Sequence, residues 1–100
     1  MKEIRKTKKR LEKTIEDFKK EPKISRFKAW RTIGDLQTLS RFYYLKVSKA
    51  YKLLDDAVSI KDKRFARSVV AERNKEFDDF ENTTSELRRA CLRRLGWSKY

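Results

Sequence analysis

Four arginines fall within seven residues, Arg88, Arg89, Arg93 and Arg94, and they are the sharpest chemical feature of this 100-residue chain. The guanidinium fork suits bidentate contact with phosphate. At helical spacing Arg89 and Arg93 share one face and Arg88 neighbours it, so Arg88, Arg89 and Arg93 are expected to bind a phosphate backbone. Cations near a helix C-terminus also complement its dipole, and this is the duller alternative. A second basic block, Lys2, Arg5, Lys6, Lys8, Lys9, Arg10 and Lys13, opens the chain. Of these, Lys6, Lys9 and Arg10 are assigned to phosphate contact, against the alternative of a solvated helix end. In the next segment Lys28, Arg31, Lys46 and Lys49 project within about 60° of one another, with Arg41 and Lys52 further round. Only Asp35 offsets them, and the face extends roughly 30 Å, enough to track several phosphates. Trp30 and Tyr44 lie off the main apolar seam and are expected to stack on unpaired bases, unless they are core. Phe27 and Leu45, nearly opposite that seam, are candidate protein-interface residues.

Catalysis has little foothold. The chain has no His and a single Cys, and it lacks a Gly-rich phosphate loop. Cys91 falls on an apolar stripe, where a buried, inert thiol is expected. Glu72, Glu76 and Asp79 share a helical face, but without His they are expected to pair with Lys or Arg of a neighbouring helix or subunit rather than hold a metal. The reading is of a non-enzymatic chain with no cofactor and no metal.

Charge is segregated. Residues 1–54 carry 17 Lys/Arg against 6 Asp/Glu, residues 55–81 carry 6 against 8, and residues 82–100 carry 5 against 1. A net charge of +13 distributed this way suggests a surface that meets a polyanion, with a near-neutral, acid-bearing element free to meet a neighbour, even a further copy of the chain. No apolar run approaches the roughly 18 residues of a membrane span, and the N-terminus has no signal-peptide core. Membrane association is not expected, and a cytoplasmic location is. Cys91 has no internal disulfide partner, and the sequon Asn82-Thr83-Thr84 lacks a secretory context.

These residues need long helices to position them. With 38% apolar and 43% charged residues, two Gly and one Pro, the chain reads as all-α, a single domain over 1–100. Ile4, Leu11, Ile15 and Phe18, extended by Thr7 and Thr14, mark a helix over about 2–20 that ends at Pro22. Ser25 is a predicted N-cap for a second, longest helix over about 25–55. Its seam is Ala29, Ile33, Leu36, Ser40, Tyr43, Val47, Ala50 and Leu54, with Gly34-Asp35 as a local weakness. Ser59 and Asp62 form a capping box for a third helix over about 60–82, with Phe65, Ala66, Val69, Val70, Phe77 and Phe80 as its stripe. Thr83 and Glu86 predict a restart, a fourth helix over about 84–95 closed by Gly96 and a packed-back Trp97. The expected architecture is an antiparallel bundle of about four helices.

A small, basic, all-helical chain without catalytic residues resembles the small subunits of multi-protein CRISPR effector complexes. That resemblance implies a helical bundle that stacks along guide RNA and holds a displaced DNA strand. The residues named above come from charge geometry alone. They point to a largely sequence-independent binder of single-stranded DNA or RNA, working beside other protein subunits. The alternative is a structural adaptor, viral or organellar, that docks protein partners through Phe27, Trp30, Leu45 and Tyr100.

Overall fold

The computed structural model describes residues Lys2–Gly96; the expectations for Trp97 and Tyr100 lie outside them. The described residues form three α-helices and no strand: α1 (Lys2–Lys20), α2 (Arg26–Asp56) and α3 (Ile60–Leu95). The all-α reading holds, and the count of about four is corrected to three. Helix α3 continues through the predicted restart, with Thr83 an exposed residue inside it rather than a cap and Thr84 buried. Its side chains explain why. Phe77, Phe80, Thr84, Leu87 and Cys91 follow at spacings of 3, 4, 3 and 4, so one inward stripe runs straight through 82–85. The poor helix formers there cost only a few tenths of a kcal/mol each, less than packing returns.

Two caps form as the sequence predicts. The Lys28 N–H donates to Ser25 Oγ at 3.2 Å, and the Asp62 N–H donates to Ser59 Oγ at 3.0 Å. At the far end of α3, Gly96 adopts a φ of 71°, which glycine reaches without steric cost, and its N–H donates to the Arg93 carbonyl. Helix α2 is unbroken at Gly34-Asp35.

The chain divides into two compact units, each containing parts of α2 and α3. Unit 1 comprises Met1–Leu39 and Thr83–Tyr100. Its core is Leu11, Ala29, Ile33, Leu36, Leu39, Leu87 and Cys91, to which each buried leucine contributes roughly 1.5–3 kcal/mol. Thr7 and Thr14 are also buried, their hydroxyls donating to the carbonyls of Glu3 and Arg10 one turn back. That internal bond lets a polar residue face the core. Helices α1 and α2 run antiparallel, as Arg10 meets Asp35 and Asp17 meets Lys28.

Unit 2 comprises Ser40–Asn82, a hairpin of α2 and α3 joined at Ala57–Ser59. Ser40 bonds Glu81, Tyr43 packs on Phe80, Lys46 approaches Glu76 and Tyr51 bonds Asn74, so rising numbers on α2 meet falling numbers on α3. Ala50, Ala66 and Val70 are its buried apolar residues. Phe65 departs from the expected stripe and is 65% exposed. It sits about 100° behind Ala66 on the helix, on the flank rather than the seam.

Candidate nucleic-acid interface

In unit 1 the outward face of α1 carries Lys6, Lys9, Lys13 and Lys20 at spacings of 3, 4 and 7, all exposed and opposite Leu11. Arg10 lies off that face. Its Nε donates to Asp35 Oδ2 at 2.8 Å and its Nη2 to Oδ1 at 2.5 Å, a fork on a carboxylate that is only 8% exposed. The hydrogen bond, and then the negative charge of Asp35, raise the Arg10 pKa above its ordinary value. Arg10 is therefore committed to the fold, since moving it to a phosphate strands a buried carboxylate. Lys28 approaches Asp17 at 3.4 Å with both groups part-exposed, a loose contact that can exchange.

On α3, Arg89 and Arg93 are exposed one turn apart, while Arg88 is half-buried with a partner inside the protein. Arg93 and Arg94 join Lys23 around an open depression of about 750 Å³ whose apolar floor is Phe18, Pro22, Ile24 and Ala90. Lys23 was not legible as part of this group, because the loop after α1 and the end of α3 are distant in sequence.

Along the unit 1 part of α2, Trp30 is 60% and Phe27 70% exposed, so neither is core. Trp30, Arg31, Ile33, Gly34 and Gln37 line a second open depression of about 310 Å³. Sequence reasoning singled out Trp30 and Arg31 and took Gly34 for a weakness in the helix. It passed over Gln37, which follows Trp30 by seven residues and shares its face.

In unit 2, Arg41, Lys49 and Lys52 are exposed, as are Tyr44 and Leu45. Lys46 is engaged: its Nζ lies 3.8 Å from Glu76 Oε2 and 4.7 Å from the centroid of the Phe42 ring. Glu76 also accepts from Arg73 at 2.8 Å. The expectation that Glu76 pairs with a cation of a neighbouring helix is met by Lys46. Among the described residues no group of three His, Cys, Asp or Glu converges to hold a metal ion.

The one thiol is fully buried, and burial pushes the Cys91 pKa up to about 11 against a smaller opposing effect of its hydrogen bond with Thr32. At neutral pH it is a protonated packing group. What remains accessible is a set of solvated Lys and Arg side chains with exposed aromatic rings, chemistry suited to reversible contact with phosphates and bases. Among the described residues no helix is long and apolar enough to cross a membrane. No family model, curated protein or solved structure matches the chain.

Proposed function

We propose that this chain is a non-enzymatic, largely sequence-independent nucleic-acid-binding subunit of a ribonucleoprotein or nucleoprotein assembly, an antiparallel helical bundle contacting single-stranded DNA or RNA. The observation that carries this reading is the division of charge between the units. Unit 1 holds 18 Lys/Arg against 7 Asp/Glu, a net +11, whereas unit 2 holds 10 against 8. Two of the seven acids in unit 1, Asp17 and Asp35, are already opposite Lys28 and Arg10. The contact set is Lys6, Lys9, Arg31, Arg89 and Arg93 in unit 1, with Lys28 recruited from its loose pair. Unit 2 has its own exposed cations, Arg41, Lys49 and Lys52. A small helical subunit of a CRISPR effector complex is one assembly this reading suits.

Gel shift with a labelled single-stranded oligonucleotide tests it by charge reversal. Lys6→Glu/Lys9→Glu and Arg89→Glu/Arg93→Glu should each weaken binding at least tenfold, and Lys61→Glu/Lys63→Glu in unit 2 should change it little. Equal losses from all three pairs would reduce the surface to general charge and sink the assignment.

A second reading, a structural adaptor, is favoured by one observation in unit 2. Val58, Ile60 and Phe65 are large apolar side chains left exposed where α2 turns into α3. If native preparations hold a stoichiometric protein that Phe65→Asp releases, and no nuclease-sensitive absorbance at 260 nm, the adaptor reading replaces the first.

A further inference from the structure

Gly34 breaks a local rule without a packing reason. Glycine inside a helix is unfavourable compared with alanine, and such residues usually remain where a neighbour approaches too closely for a side chain. Here a Cβ added at Gly34 meets nothing within 4 Å, the residue is exposed, and α2 passes through it without a break. The fold has no use for the missing side chain. Positions that violate local preference with no structural return are where function is expected.

The vacancy has a definite location. Helical side chains lean toward the N-terminus, so a residue covers the surface over the turn before its own Cα. A side chain at 34 would lie over residues 30 and 31. Its absence leaves room beside Trp30, and the depression lined by Trp30, Arg31, Ile33, Gly34 and Gln37 is that room. Its volume of about 310 Å³ is at the lower end of the roughly 300–1,000 Å³ of small-ligand sites, a space for one planar group rather than an extended molecule. Trp30 supplies a ring, Gln37 a neutral donor and acceptor at the rim, and Arg31 a cation one residue from the ring. Charge selects the occupant. Over its whole length α2 carries seven Lys/Arg, and its only acid before Asp55 is Asp35, which is buried and engaged by Arg10. A flat apolar ring in a depression whose one charged lining residue is Arg31 suits a group that is aromatic and attached to an anion.

We propose that Trp30, with the notch left open by Gly34, stacks one unpaired nucleobase of a single strand whose adjoining phosphate meets Arg31. This rests on the nucleic-acid reading and deepens it. It makes the ligand single-stranded at this point, because the bases of a duplex are stacked on one another and present no free face.

The test uses the full chain and two fluorescein-labelled probes, an oligo(dT) of about 12 nucleotides and the duplex it forms with oligo(dA). Trp30→Ala and Gly34→Leu should each weaken oligo(dT) binding about 5- to 150-fold, Trp30→Phe should retain most of it, and duplex affinity should not move. Because stacking releases no counterions, the salt dependence of the variants should parallel that of the parent. In a Trp97→Phe background Trp30 is the only tryptophan, and oligo(dT) should quench its fluorescence unless Gly34→Leu is also present. Strong oligo(dT) binding that survives both Trp30→Ala and Gly34→Leu overturns this inference and leaves the basic interface standing. Failure of every probe to bind overturns both. A protein partner released by Trp30→Ala, with oligonucleotide affinity intact, assigns the depression beside Trp30 to protein docking and overturns the stacking role.

Discussion

Arg10 and Lys9 are adjacent, yet the structure gives them opposite tasks. Lys9 points away from the core, whereas Arg10 forks onto the buried Asp35 carboxylate, a pairing across 25 residues that no local pattern in the sequence reveals. Arg10→Ala is therefore expected to destabilise the protein by about 1–3 kcal/mol, the cost of leaving a buried acceptor unsatisfied, measured by urea denaturation. Lys9→Ala should leave the midpoint within the range of ordinary surface changes, about 0.5 kcal/mol. Equal effects of the two would remove the distinction. Cys91 is the other residue whose setting decides its chemistry. Its apolar stripe was legible in the sequence, and the thiol is buried as that stripe implied. With a folded pKa raised to about 11 from 9.0, the native thiolate fraction at pH 8 falls about 100-fold, and access is blocked as well. Labelling with a thiol-specific disulfide reagent should be at least that much slower in the native protein than in denaturant. The sign for stability follows from the same shift. Between the two pKa values the unfolded chain holds fewer protons, so this thiol's contribution is intact below pH 9 and is lost as pH rises toward about 11.

At the scale of elements, periodicity and caps carried most of what could be read. The seam of α2 from Ala29 to Leu54 is buried or half-buried at every position named for it, and Ser25 and Ser59 cap as expected. The restart at Thr83 failed because a capping pattern is a local signal, while the stripe through Phe80, Thr84, Leu87 and Cys91 is satisfied only by tertiary burial. Thr83 separates the two descriptions. As an exposed residue inside a continuous helix, Thr83→Ala should leave stability unchanged or raise it by about 0.5 kcal/mol. As an N-cap it would lose about 1 kcal/mol. Ser59→Ala, a true cap, should show that loss, and thermal unfolding of the two variants side by side decides the matter. Gly34 is a weakness of α2 that does not break the helix, and no neighbouring element presses against the position. Filling it with alanine should stabilise the fold by up to about 1 kcal/mol.

For the whole molecule, the regional charge seen along the chain becomes a property of one compact unit. Segments distant in sequence, α1, the start of α2 and the end of α3, contribute to unit 1, which carries a net +11 out of +13. The charge blocks were visible in the sequence; their gathering was not, because it depends on which ends of two long helices share a core. Several cations named from spacing are already occupied, Arg10 by Asp35 and Lys46 by Glu76. The exchangeable surface is correspondingly smaller than the raw count of basic residues. The measurement that tests the central claim most directly is fluorescence anisotropy of a labelled single-stranded oligonucleotide titrated with the full chain across salt. The expected result is clear binding at about 50 mM salt that weakens about 50-fold by about 200 mM, as for four phosphates neutralised on a single strand. No binding at the lower concentration, or an affinity that barely changes between the two, would contradict it.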